Sequence, residues 1–294
     1  MTSWQSPGRL DRAEDRRGDP AWVARQWEHP AARVLAVSGQ GALAWSDGAP
    51  GYRPAAGPLT ERQLLLGLLE GEPVFIDLVA EVPDGQPLRV VMEGLDGVEL
   101  ELAFTASALA GWHHVARFCS SCATPTQVAR AGLARRCPGC GRETYPRVDP
   151  AVIVAITDPA DRLLLGRQAV WAPGRMSVFA GFLEAGESLE QAVYREVLEE
   201  GGLCVTDVQY LGSQPWPFPR SVMVAFRARA ADPHLTVDTT EIEQARWFSR
   251  EDLAAALATR EVLLPSSTSI AYRMIAEWRS AGADGGARPG VDRH

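Results

Sequence analysis

The stretch GFLEAGESLEQAVYREVLEEGGL, residues 181–203, constrains this chain more than any other. Its charged and apolar residues read as a helix over about 188–201. Glycines on either side supply a tight loop before the helix and a stop after it. On that helix Glu196, Glu199 and Glu200 stand at i, i+3 and i+4, so their carboxylates share one face. Like charges so placed repel one another. A solvated acidic face would interleave cations, and the neighbouring cation is Arg195, which reaches Glu199 at i+4. The helix is either a solvated acidic face or a site for a hard divalent cation such as Mg²⁺ or Mn²⁺. The complete pattern, with its fixed glycines, favours the cation.

Four cysteines form a second constellation. FCSSC and RCPGC contain Cys119, Cys122, Cys137 and Cys140, two C-x-x-C pairs with fourteen residues between them. Two such turns can supply a closed tetrahedral shell of four thiolates to one structural zinc. Redox chemistry or a pair of disulfides is the competing reading. Cys204 stands alone and reads as a small core residue. His113 and His114 are adjacent, face different ways, and read as structural or exposed.

A third stretch, SQPWPFPRS over 213–221, alternates three prolines with a tryptophan and a phenylalanine. Proline fixes φ and donates nothing to a ladder, so this segment is stiff and extended. It is either a packed turn or a wall on which a flat ligand stacks.

Organisation follows from the remaining pattern. From about Trp22 to Ala110, short apolar runs separated by Gly, Pro and Asp turns read as a mainly β, α+β domain. TERQLLLGLLEGE, residues 60–72, reads as an amphipathic helix capped by Thr60. AVIVAIT, RLLLGRQ, SVMVAFRARA and ARWFS read as strands. REDLAAALATRE and STSIAYRMIAEWRSA have helical periodicity, which gives an α/β domain over about 150–282. The net charge of −8 argues against a broad footprint on duplex nucleic acid, although one RNA end in a local pocket stays open. All 29 basic residues are arginine, which weakens any reading of a particular arginine as chosen over lysine. No apolar run approaches the roughly 18 residues of a membrane span. The first twenty residues have no apolar signal region, so a cytoplasmic location is expected, without a membrane partner.

The pattern over 181–203 is identified as the Nudix box. QPWPFPRS, Gln214 to Ser221, together with the cysteine pairs and YPR at 145–147, resembles the NADH pyrophosphatases of the NudC type. The resemblance implies an α+β multidomain chain: a loosely ordered N-terminus (1–20), a mainly β N-terminal domain (21–114), a zinc ribbon (115–145), a Nudix α/β/α sandwich (146–282) and a flexible tail (283–294). It implies a homodimeric hydrolase, dependent on Mg²⁺ or Mn²⁺ and carrying structural zinc. The reaction implied is cleavage of NADH or NAD⁺ into nicotinamide mononucleotide and AMP, and removal of NAD caps from RNA 5′ ends. Glu196, Glu199, Glu200 and Glu241 are the implied metal ligands, with Ala180 adding a backbone contact. Glu199 or Glu200 would position the attacking water, and Arg195 would orient the carboxylates. The implied substrate contacts are Gln214, Pro215, Trp216, Pro217, Phe218, Pro219, Arg220 and Ser221. Tyr145 would join them across a dimer interface, Ala271 through its backbone, and Phe182 as a stacking partner. A Nudix hydrolase of another nucleoside diphosphate derivative such as ADP-ribose, and a non-catalytic nucleotide sensor, are the alternatives.

Overall fold

In the computed structural model, residues 7–281 are described, and they fall into two compact units. The first runs to Asp149 and also contains Pro215–Val222; the second comprises 150–214 and 223 onward. The aromatic-proline segment therefore belongs to the packing of the first unit, although the strands on either side of it continue into the second.

The first unit is built on a seven-stranded sheet. Its centre is the strand pair Gln63–Leu69 and Glu72–Val79, with Arg33–Ser38 parallel to the latter. The segment expected to be helical at 60–72 is thus a strand. Leucine favours helices in isolation, but a run buried on both faces satisfies a central strand equally well, and tertiary context decides. Gly67 makes the strand possible, because a Cβ there would stand 2.3 Å from the Asp11 carbonyl oxygen. The Thr60 side chain closes a local turn with Gln63 instead of capping a helix.

The N-terminus, expected to be loose over 1–20, is held from Arg9 onward, where the Arg9 amide donates to Glu101; residues 1–6 of that expectation lie outside the described residues. Leu10–Asp11 pairs with Leu69 and Leu68. A bulge between Leu65 and Gly67 disturbs the ladder, and the buried Arg17 guanidinium donates to the Leu65 and Leu66 carbonyls beside it. The expected tail at 283–294 lies outside the described residues.

A nineteen-residue helix, Gly97–Val115, packs across this sheet where strands were expected to dominate. Asp96 caps it by accepting from the Val98 and Glu99 amides. Its apolar residues are spread around the helix instead of forming one stripe, which hides the 3.6-residue period. His113, near its end, is buried between the Gly132 carbonyl and Arg135, while His114 is exposed. A three-stranded ribbon follows: Gln127–Ala129, Ala134–Arg136 and Glu143–Thr144.

In the second unit a six-stranded sheet lies between helices, with Asp149–Thr157 antiparallel to both Leu163–Arg167 and Phe179–Phe182. Along the strand Asp149–Thr157, Ile153 and Ala155 share a core with the helices Arg250–Ala258 and Ile270–Ala281. Val152, Val154 and Ile156 alternate with them and are as deeply buried. Both faces are therefore covered, as in an α/β/α sandwich. Cys204, expected in the core, is exposed: it alternates with the buried Leu203 and Val205 at the start of a strand. Among the described residues no helix is long and apolar enough to cross a membrane.

Candidate active site

The helix Leu189–Gly201 begins with a reciprocal cap, in which the Ser188 hydroxyl accepts from the Gln191 amide and the Gln191 side chain accepts from the Ser188 amide. It ends at Gly202, whose left-handed φ of 68° suits glycine. Two deeply set carboxylates, Glu196 and Glu200, are only 8% and 3% exposed, whereas Glu199 is open to solvent. A buried carboxylate needs a partner, yet Glu200 Oε2 has none among the described residues. Burial first, and the charges of Glu196, Glu241 and Glu199 after it, push the Glu200 carboxyl up to about 8. Burial likewise raises Glu196, against the pull of Arg195, with Glu199 and Glu241 adding to the rise.

Glu241 reaches this group from the chain after the hairpin. The amides of Thr236 and Asp238 donate to the Gly201 and Glu200 carbonyls at 2.9 and 3.2 Å, fastening that loop to the end of the helix. Glu196 and Glu200 are the deeply set pair, and Glu199 and Glu241 lie near enough for their charges to push both carboxyls up. Gly181 lies against them: a Cβ there would stand 1.9 Å from the Glu196 carboxyl carbon. Ala180 precedes it on the strand Phe179–Phe182, paired with Ile153. Hard oxygen donors, an orphaned buried oxygen and a cradle that only glycine leaves open all fit a divalent cation.

Arg195 is saturated. Its Nε donates to Glu187 Oε1, one terminal nitrogen to Glu196 and Glu199, and the other to the Phe182 carbonyl and Glu187 Oε2, at 2.6–3.0 Å. These five bonds use all five guanidinium donors. Arg195 therefore positions the carboxylates and has no donor left for a substrate. Glu187, to which the sequence assigned no role, is its bidentate partner. The Arg195 hydrogen bonds, then the Glu184 amide, hold Glu187 down at about 2. Its place in the 23-residue pattern was visible, but its partner lies eight residues away across a loop, beyond any helical spacing rule.

A pH dependence follows for the metal-free protein. Glu200 binds its proton more tightly folded than unfolded, so the folded state is favoured below the unfolded carboxyl range. That advantage is lost as pH rises through about 8. Melting temperature measured in chelator should fall by several degrees between pH 6 and 9. The decline should be shallower in Glu200→Gln and disappear when a divalent cation is added. Equal slopes in wild type and Glu200→Gln would remove Glu200 as its source.

The four cysteine sulfurs lie within 4.8 Å of one another. Cys119 and Cys140 are 3.7 Å apart and Cys122 and Cys137 3.4 Å, far beyond a disulfide bond and close to the roughly 3.8 Å edge of a zinc tetrathiolate. Tight turns present them: the Ala123 amide donates to the Cys119 carbonyl, and the Gly141 amide to that of Cys137.

The aromatic segment divides into distinct roles. Gln214 is wholly buried; its amide donates to the Thr268 carbonyl at 2.8 Å and accepts from the Ile270 amide at 2.6 Å. It therefore ties the strand to the start of the last helix, a fold-holding use the sequence did not disclose. Within the first unit, Tyr145, Pro215, Trp216, Pro217, Arg220 and Ser221 line a cleft of about 960 Å³. Phe218 stands behind Trp216 with ring centroids 5.0 Å apart. Arg147 and Arg220 each donate to Asp149, at 2.6 and 2.7 Å. In the second unit Phe182 is exposed, Ala180 half-buried and Ala271 buried. Pro219 is exposed at the hairpin tip.

Comparison with known proteins accounts for this combination. Residues 147–265 match the NUDIX domain, and residues 116–145 match the NADH pyrophosphatase zinc ribbon domain. A Mycobacterium bovis protein (strain BCG / Pasteur 1173P2) named NAD-capped RNA hydrolase NudC is 41% identical over 293 residues, covering 91% of this chain and 92% of its own. The protein of that name from Mycobacterium tuberculosis H37Rv is 40% identical over the same shares. The one from Chromobacterium violaceum is 39% identical over 241 residues, 80% of this chain and 88% of its own. With identities of about 40% over most of both chains, and with the NUDIX and zinc ribbon matches, the chain belongs to the NudC family of zinc-ribbon Nudix hydrolases.

Proposed function

We propose that this chain is a divalent-cation-dependent NAD(H) diphosphatase, cleaving NADH or NAD⁺ into reduced or oxidised nicotinamide mononucleotide and AMP. We extend the reading to RNA whose 5′ end is NAD, which contains the same diphosphate. The observation that carries it is the orphaned, buried Glu200 Oε2 on the box helix, in a chain 41% identical to a protein named NAD-capped RNA hydrolase.

In this reading Glu196, Glu200 and Glu241 hold Mg²⁺ or Mn²⁺, joined by the backbone of Ala180. The bound cations supply charge neutralisation of the diphosphate and a lowered pKa for the attacking water. Glu199, open to solvent and fixed by Arg195 at 3.0 Å, is placed to orient that water or accept its proton. Water oxygen bonds to one phosphorus as the bridging P–O bond breaks, and the departing phosphate takes up charge. Arg195 holds the carboxylate geometry. Trp216, Arg220 and Ser221 form a nucleoside-binding wall, backed by Pro215, Pro217, Phe218, Pro219 and Gln214. Phe182, exposed beside the box, offers a second stacking face, and Ala271 a backbone contact. The enzyme works as a cytoplasmic homodimer in which Tyr145 serves the neighbouring subunit's substrate, consistent with its exposure on a single chain.

The test is product analysis with NADH, NAD⁺, ADP-ribose and NAD-capped RNA, in Mg²⁺ and in Mn²⁺. Nicotinamide mononucleotide and AMP from the dinucleotides support the proposal. Turnover of ADP-ribose alone, or of none of them, overturns it.

Removing the Trp216 ring should cost roughly 1–3 kcal/mol of stacking, about five- to 150-fold in kcat/KM for NADH. The loss should be smaller for a diphosphate without a base, and cation affinity should be unchanged. A collapsed melting temperature with an unchanged substrate ratio would make Trp216 core and nothing more.

A further inference from the structure

The aromatic segment has few backbone bonds to hold it, since Pro215, Pro217 and Pro219 have no N–H to donate and the Phe218 amide is used locally on the Trp216 carbonyl at 2.7 Å. Its shape depends on what its side chains touch, and in the first unit two residues meet both rings. Phe104, on the helix Gly97–Val115 and 2% exposed, meets Trp216 at 6.4 Å and Phe218 at 6.1 Å between centroids, edge to face at 86° and 84°. Arg89 lays its guanidinium 4.3 Å from the Phe218 centroid and 5.9 Å from that of Trp216. Its short helix, Leu88–Val91, is anchored by the neighbouring Leu88, which is buried in the core under the sheet.

The partition of the rings follows. The guanidinium lies over Phe218, so that ring can offer a ligand at most its other side, whereas Trp216 lines the cleft. On the backbone side the tip is pinned separately: the Asp149 amide donates to the Arg220 carbonyl at 2.9 Å, and Arg220 Nε donates back to the Asp149 carboxylate.

We propose that Arg89 and Phe104 are positioning residues for substrate specificity. Together they clamp Phe218 so that it presents Trp216 to the substrate base, and this clamp is a function of the N-terminal domain. The inference rests on the NAD(H) diphosphatase reading above. Both lie outside the carboxylate box, and the contacts that carry the proposal are theirs to the two rings.

The experiment measures kcat and KM for NADH, cation activation and melting temperature in the full-length, zinc-loaded protein. The variants are Arg89→Ala, Arg89→Lys and Phe104→Leu, each alone and with Phe218→Leu. Arg89 is exposed, so Arg89→Ala should leave the melting temperature unchanged while raising KM roughly two- to fivefold, the scale of an exposed cation–π contact. Arg89→Lys should restore part of the loss. Phe104→Leu should raise KM about fivefold or more with kcat nearly intact. In the Phe218→Leu background, Arg89→Ala should add little, because the shared ring is gone. Wild-type NADH turnover with KM unchanged in Arg89→Ala, or full additivity with Phe218→Leu, overturns the clamp and leaves the proposed function standing. Absence of NADH turnover by the wild type overturns the function and the clamp with it.

Discussion

Glu200→Gln should lower turnover by about 100-fold or more at saturating divalent cation, with the melting temperature held or raised. The substitution keeps the shape of the side chain but removes the charge on an oxygen that is buried without a protein partner. In the metal-free fold that charge, carried only as pH rises through about 8, is a burden, because the site is buried and crowded by Glu196, Glu241 and Glu199. Replacing it with a neutral amide relieves repulsion, so stability should not suffer. Opposite directions for activity and stability are the signature of a ligand site, since a structural glutamate would lose both together. Steady-state rates against cation concentration, beside thermal melts in chelator, make the comparison. Near-normal turnover in saturating Mg²⁺ and in Mn²⁺ would remove Glu200 from the cation site.

Loss of the ribbon metal should act in the contrary sense, on stability first. Cys119→Ser leaves three thiolates where four sulfurs stand within 4.8 Å. Structural zinc contributes folding free energy directly, so a drop in melting temperature of about 10 °C or more, or loss of soluble expression, is expected. Mild chelation should behave differently. It should remove the weakly held catalytic cations, abolish turnover reversibly and leave the ribbon filled. Elemental analysis of the native protein should give one zinc per chain, and its absence would refute the ribbon metal.

What the sequence disclosed, and what it hid, follows from the range of the interactions. The carboxylate face was legible because Glu196, Glu199 and Glu200 lie within about one helical turn, and the helical period alone sets them on one face. The cysteine pairs were legible for the same reason. Glu187 escaped because its salt bridge to Arg195 crosses a loop, at 2.6 Å in space but at no helical interval. Gln214 looked like part of a ligand signature, yet its amide is consumed by Thr268 and Ile270, more than fifty residues on. The leucine run at 63–69 was misread because leucine carries a helical preference, while its burial on both faces is decided by neighbouring strands. Arg17 sat in a stretch whose composition suggested a loose arm, and only the bulge at Leu65–Gly67 explains why an arginine is needed there.

The assignment of Pro215–Val222 to the first unit bears on how such a protein can be rebuilt or recombined. A cut at 149/150 looks like a natural exchange point on a linear map of the chain. It would carry the hydrolytic centre away from the surface against which its aromatic segment is packed. A chimera joining this catalytic portion to another N-terminal domain would inherit the carboxylates intact and leave Trp216 and Phe218 facing a foreign partner. Such hybrids should keep general diphosphate cleavage and lose discrimination among nucleosides, so the unit that evolution can swap is larger than the domain that a catalytic signature outlines.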